Sequence, residues 1–295
     1  MPARIPMRDV VGRTAPQRIH EFGDKISAEL KKQDDDKNAK RERSGKISGG
    51  KLGKPTLWVV LDLIGVKDDL DPYMLGKFKR GNDVEARAIN FLTDIPLDQV
   101  LEIVEGRRDN PGWIPSSGVL KGEFNLQQES GYRGGVGFVD LAQKVGDSLV
   151  YHEIKSSTKM AYDKVSASGR YNGVVDVEKG IGIPYYHHAI QNAYYCLGDN
   201  VTRAFLHYFN ADDYRLTSFA INPSDYKEEI DKEIDDIELC FVSKTIPPFE
   251  GFLGYHKAYI NKIYKDWNRL SSDEILTKLR NEYPEQYKKF MEMTL

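Results

Sequence analysis

The chain has 295 residues, with 42 Lys and Arg against 45 Asp and Glu, a formal charge of −3. Apolar residues make up 40% and charged residues 29%, the balance of a folded globular protein, which excludes general disorder. The longest apolar stretch, Leu57-Trp58-Val59-Val60-Leu61, is broken by Asp62, well short of the roughly 18 residues that a membrane-spanning helix needs.

Two cysteines, Cys196 and Cys240, are too few for a four-cysteine iron–sulfur or zinc site. The N-terminus, Met1-Pro2-Ala3-Arg4, shows no apolar signal region, so a cytoplasmic protein without a membrane partner is expected. Charge is uneven: residues 1–60 hold 14 basic and 8 acidic side chains (+6), leaving −9 for residues 61–295. Any contact with nucleic acid must then be a local groove rather than a basic surface.

In chain order, residues 1–55 read as an irregular basic arm or linker, with a short helix near Pro16–Lys32. A helix is expected over Thr56–Leu63, opened by Pro55, and another over Tyr73–Leu92, where apolar residues recur at helical spacing. Gly81 marks a break or a close approach in the second. Strands follow at Val119–Gln127, Gly134–Val145 and Leu149–Ser156, the last two forming a hairpin around Gly146-Asp147.

Ser166–Gly182 reads as a mobile loop near the site, followed by a helix from Pro184-Tyr185 to about Leu197. Two strands, Thr202–Phe209 and Leu216–Ile221, precede an acidic helix capped at Asn222-Pro223-Ser224 and reaching Cys240. The C-terminus reads as helical over Gly254–Leu270, then a last helix opened by a capping box at Ser271 to Glu274. The fold expected is α/β: a mixed central sheet of about five strands with helices on both faces. A core at 56–245 and a helical extension at 246–295 packing on it complete the domain plan.

Gly45 to Gly50-Lys51 has the spacing of a phosphate-binding loop. Leu52 stands where Ser or Thr would bind Mg²⁺, and no strand precedes it, so this reading fails. A sharper constellation lies in the hairpin. Gly137-Phe138-Val139-Asp140 ends in a carboxylate, and the next strand carries Glu153-Ile154-Lys155. Side chains alternate on a strand, so Glu153 and Lys155 share a face while His152 and Ile154 point away.

Antiparallel pairing about Gly146-Asp147 puts Asp140 opposite Glu153, since the two positions sum to 293. Opposed carboxylates repel unless a cation lies between them, and Mg²⁺ or Mn²⁺ is the natural resolution. Lys155 would stand beside it, placed to orient the attacking water. That chemistry suits phosphodiester hydrolysis. The triplet alone is weak, because Asp35-Asp36-Lys37 matches it within a polar linker. A surface ion pair is its bland alternative.

These residues, together with Gln191-Asn192-Ala193-Tyr194-Tyr195 and Gly81-Asn82-Asp83-Val84-Glu85, resemble the PD-(D/E)XK nuclease superfamily. The nearest branch is the RecB-like one, which includes lambda-exonuclease and CRISPR-associated exonuclease types. The resemblance spans about residues 80–210. It implies a restriction-endonuclease-like core, with Asp140, Glu153, the Ile154 carbonyl and Glu85 as metal ligands and Lys155 as the catalytic lysine. Gln191 and Tyr195, one helical turn apart, would brace the site or touch DNA. Val139 replaces the Pro of the family name, and the four cysteines of the iron–sulfur branch are absent, so no such cluster is expected.

The activity implied is a Mg²⁺- or Mn²⁺-dependent deoxyribonuclease, chiefly an exonuclease leaving 5′-phosphates in phage or bacterial recombination and repair. An annealing protein or helicase is an implied partner, and an oligomer is open. A structure-selective endonuclease and a non-catalytic nucleic-acid-binding module stand as alternatives. His187 and His188 would lie beside Gln191, as DNA contacts or as ordinary helix residues. Tyr255, Tyr259, Ile263 and Trp267 form either a core stripe or a stacking face for single strands.

Overall fold

Six strands form one mixed sheet whose two faces are covered by helices that precede, interrupt and follow the run of strands. The computed structural model describes residues 25–26, 28–29, 31–32, 45–67, 72–109, 111–250 and 264–295. The chain divides into two compact units, 1–42 with 69–80 and 43–68 with 81–295. In the first, the described residues of 25–32 are helical, as are 72–80. The second contains the sheet.

The sheet strands are β1 (Ile114–Ser116), β2 (Gly122–Ser130), β3 (Gly137–Val145), β4 (Ser148–Ser157), β5 (Ala204–Asn210) and β6 (Leu216–Ile221), in that spatial order. All neighbours are antiparallel except β4 and β5, which run parallel with Glu153 beside Leu206 and Lys155 beside Tyr208. The helices are α1 (Thr56–Ile64), α2 (Pro72–Thr93), α3 (Leu97–Val104), α4 (Lys159–Val165), α5 (Tyr186–Gly198), α6 (Lys227–Ser243), α7 (Ser272–Glu282) and α8 (Pro284–Glu292).

One face of the sheet contributes Ala142, Tyr151, Ala204, Leu206 and Tyr208 to a core shared with α1, α5, α6, α7 and α8. The opposite face buries Phe124, Leu126, Leu141, Ile154 and Phe209 against α2 and α3. Helix α1 is buried at seven of its nine positions, which is why it is apolar all round rather than on one stripe. Gly65 ends it at φ 92°, a left-handed position that a side chain would strain.

Several expectations need correction. The sheet has six strands, because Ile114–Ser116 pairs with the start of β2; three residues around a proline carry too little alternation to announce a strand. Strand β2 lies three residues later than expected, and α3 and α4 were unforeseen. Residues 45–54, assigned to the arm, are packed: Ile47 and Leu52 are buried, and Val136 N–H bonds the Ile47 carbonyl at 2.9 Å.

Gly81 does not interrupt α2; a Cβ there would stand 3.4 Å from Ser156 Oγ, so it marks a close approach. The stretch Ser166–Gly182 is threaded by backbone bonds, with a 3₁₀ turn at Gly169–Tyr171 and a bridge between Asp176 and Ile181. The acidic helix opens through a 3₁₀ turn at Pro223–Tyr226. At the C-terminus residues 264–269 are turns, and Pro284 divides the last helix in two. Tyr255, Tyr259 and Ile263 lie outside the described residues. Trp267 is buried against Tyr283, as a core stripe requires. Among the described residues no helix is long and apolar enough to cross a membrane.

Candidate active site

The register that pairs Leu141 with His152 makes Asp140–Glu153 the next rung, and there the β3–β4 ladder stops. Asp140 Oδ2 takes the bond that a ladder carbonyl would have taken, accepting the Ile154 N–H at 2.7 Å. A strand residue's N–H and C=O point to the same side, so the Ile154 carbonyl faces this gap as well. Glu153 lies on the same face and is 1% exposed. Its Oε1 accepts Lys155 Nζ at 2.5 Å, while its Oε2 is buried with no hydrogen-bond partner.

Glu85 enters from α2 and accepts a bond from Gln127 Nε2 at 3.3 Å. Gln127, through its amide, also favours the charged form of Asp140. It is the residue of β2 that falls opposite Asp140, since the flanking pairs Leu126–Leu141 and Gln128–Val139 both sum to 267. Its φ of 50° turns it out of the ladder. The sequence reading missed Gln127; the register of β2 against β3 was the signal that would have found it.

Burial, and then mutual repulsion, raise the pKa values of this group. Glu153 is pushed up to about 8 by burial and by Asp140, against the pull of Lys155. Glu85 is raised well above its ordinary value by burial, Asp140 and Glu153. Asp140 is raised by burial, offset by Lys155, by the bond from Ile154 and by the Gln127 amide. Burial pulls the Lys155 ammonium down, but Glu153, Asp140 and Glu85 outweigh it and hold it charged. With all three carboxyl groups ionised, they and the ammonium sum to −2, the charge that one divalent cation would balance.

The residues fit such a cation in two respects. The donors are hard oxygens, and Glu153 Oε2 is an orphan that a buried carboxylate does not tolerate without compensation. The set is not closed, however. Among the described residues no three His, Cys, Asp or Glu side chains converge tightly enough to hold a metal by themselves. Mg²⁺ retains several waters, and an open set of carboxylates is compatible with that.

Gln191 and Tyr195 lie one turn apart on α5, with Gln191 Nε2 3.3 Å from the Tyr195 hydroxyl. Tyr195 is 4% exposed, and its phenol is raised by burial and by Glu153. A Cβ on Gly137 would lie 2.5 Å from its ring, and one on Gly49 would lie 3.0 Å from it. The glycine three residues before Asp140 is therefore the space that Tyr195 fills. This packs Tyr195 against the strand that carries Asp140.

Lys54, His187 and His188 lie near Lys155. Gly53 N–H donates to Glu233 Oε2 at 2.7 Å and fixes the turn before Lys54. Burial, with Lys155 and Lys51 adding and Asp62 opposing, pulls the Lys54 ammonium down to about 8. His187 is lowered to about 3 by burial and then by Lys54 and Lys155. The ring of His188 lies 4.1 Å from that of His187. Lys54 escaped the sequence reading because it falls in the segment taken for an arm.

His152 points to the other face, as alternation requires, and is no ligand. It joins a buried chain from Gln143 Oε1 (3.0 Å) through His207 Nε2 (2.9 Å) to Ser218 Oγ (2.8 Å from His207).

No family model and no curated protein matches the chain. Among solved structures it is similar to SSO0001, with 15% identity over 74% of this chain and 85% of that one, at a TM-score of 0.36. It is also similar to the alkaline exonuclease LHK-Exo from Laribacter hongkongensis. There the identity is 14% over 66% of this chain and 87% of that one, at a TM-score of 0.38. At such identities and scores the likeness assigns no activity to this chain.

Proposed function

We propose that this chain is a metal-dependent deoxyribonuclease acting, as the PD-(D/E)XK resemblance implies, chiefly as an exonuclease. The observation that carries the reading is the juxtaposition of Asp140, Glu153 and Lys155 where the β3–β4 ladder ends, with Glu153 Oε2 buried and unpartnered. Asp140, Glu153, Glu85 and the Ile154 carbonyl would hold Mg²⁺ or Mn²⁺. When bound, such a cation supplies Lewis-acid activation of water and neutralises charge on the phosphate.

The protein's own groups do the rest. Lys155, held as an ammonium by its carboxylate neighbours, orients the water and offsets the charge that develops on the phosphate. The Gln127 amide holds Glu85 and favours the charged form of Asp140. Tyr195 and Gln191 fill the space behind Glu153 and keep bulk water from it.

The test is degradation of end-labelled single- and double-stranded linear DNA and of a closed circle, with Mg²⁺, Mn²⁺ or EDTA. Wild type should degrade the linear substrates only with metal, and Lys155→Ala should not. Wild-type turnover in Lys155→Ala at unchanged metal affinity sinks the mechanism. Loss of the circle moves the reading to an endonuclease.

A second reading, a nucleic-acid-binding module without catalysis, is favoured by the open ligand set. Calorimetric titration with Mn²⁺ separates the two, since an idle site binds none.

A further inference from the structure

Tyr208 and Lys155 are cross-strand partners on β5 and β4, so the Tyr208 ring borders the candidate site. Its hydroxyl makes two hydrogen bonds. The Tyr185 N–H, at the start of α5, donates to the oxygen at 3.0 Å. His188 Nδ1 lies 2.9 Å away. Tyr208 is 1% exposed, so its own proton must find an acceptor or leave a buried donor unsatisfied. Nδ1 is that acceptor. An imidazole that accepts at Nδ1 carries its proton at Nε2.

The tautomer of His188 is thus fixed by a backbone amide two steps away, in the manner by which the bond at one ring nitrogen sets the other. Among the described residues His188 Nε2 has no hydrogen-bond partner, and the side chain is only partly buried. The ring is also held neutral: burial, then His187, Lys155 and Lys54, keep it well below its ordinary pKa. A neutral N–H donor without a partner, on a ring bonded to the cross-strand neighbour of Lys155, is suited to an anionic oxygen. It cannot serve a metal at Nδ1, which the Tyr208 proton occupies.

We propose that His188 donates Nε2–H to a non-bridging oxygen of the scissile phosphate, with Tyr208 the positioning residue that locks the donor tautomer. This rests on the nuclease reading for its substrate but not for its geometry.

The experiment combines cleavage kinetics, DNA retention and ¹⁵N spectroscopy of the full chain. Wild type should show an imidazole protonated at Nε2 and not at Nδ1 across the neutral range. His188→Ala should lose about 10²-fold in kcat/KM, the cost of removing one preorganised donor, and should melt lower because the buried Tyr208 hydroxyl loses its acceptor. His188→Gln, whose amide can accept from Tyr208 and donate onward, should recover most of it. Tyr208→Phe should also be slow, and adding it to His188→Ala should cost nothing further.

An active wild type with His188→Ala at undiminished kcat/KM overturns the proposal, as does a resonance showing Nδ1 protonated. If the wild type cleaves nothing, the function reading falls separately. Affinity for an oligonucleotide then decides: several-fold weaker retention in His188→Ala supports the donor, and equal retention overturns it.

Discussion

Replacing Gly137 by alanine tests whether the glycine before Asp140 exists to admit Tyr195. The added Cβ would lie 2.5 Å from Tyr195 Cε1, 3.0 Å from its hydroxyl and 3.1 Å from Cζ. The ring is 4% exposed, so it has no open side to retreat into. Overpacking a closed site of this kind costs about 1–3 kcal/mol. Urea unfolding followed by circular dichroism should show that loss at an unchanged m-value.

A double-mutant cycle identifies its source. In a Tyr195→Leu background the ring is gone, and Gly137→Ala should cost less than about 0.5 kcal/mol, leaving a coupling energy of about 1–3 kcal/mol. Equal costs in both backgrounds would refute the packing argument and return Gly137 to a purely conformational role.

Further outcomes are expected elsewhere. Asp140→Asn and Glu153→Gln should each abolish Mn²⁺ heat in calorimetry while raising the apo melting temperature, since each removes a buried charge from a repelling set; retained Mn²⁺ binding would remove both from the ligand set. The bond between His152 Nδ1 and His207 Nε2 holds a single proton, so the two rings are never both charged; burial, then His207, lowers His152 to about 3, and burial lowers His207 to about 4. Between pH 6.5 and about 4 the unfolded chain therefore takes up protons that the fold refuses, and stability from this pair falls as pH falls, by up to about 1.4 kcal/mol per pH unit per ring. Ring resonances of either histidine titrating near pH 6.5 in the folded protein would contradict this. Ser271→Ala breaks the capping box of α7 with Glu274 and should cost about 1 kcal/mol by thermal unfolding, whereas no change would show that the helix end is held by packing alone.

What the sequence disclosed followed the strength of each local signal. The hairpin was legible to the residue, because Gly146-Asp147 fixes a register in which positions sum to 293, and the Leu141–His152 pair has that sum. Helix α2 was legible from its apolar recurrence despite Gly81. The placement of Gln127 was not, since it depends on how β2 aligns with β3 across a connection whose length sets no register. Lys54 was invisible, and His188 stayed undecided between a DNA contact and an ordinary helix residue, for a related reason. Each is brought to the site by packing against a distant element, Lys54 through the Gly53–Glu233 bond and His188 through Tyr208. Neither bond has a local pattern. The capping box at Ser271 needs only four consecutive residues, and it was read correctly.

The single parallel junction of the sheet has a consequence for how the molecule assembles. Parallel neighbours cannot be joined by a tight turn, so residues 158–203 leave β4, pass through α4 and α5, and return as β5. The β3–β4 hairpin closes a short loop and can form early, whereas the return of β5 pays for a long one. Until that return Asp140 and Glu153 have neither Tyr195 nor Tyr208 over them, and they titrate as solvated acids. Burial of the carboxylates thus becomes one of the last events on the folding route, and their repulsion never opposes formation of the hairpin itself. Pulse-labelled hydrogen exchange should find β3 and β4 amides protected before those of α5 and β5; simultaneous protection would mean that hairpin and crossover form as one unit.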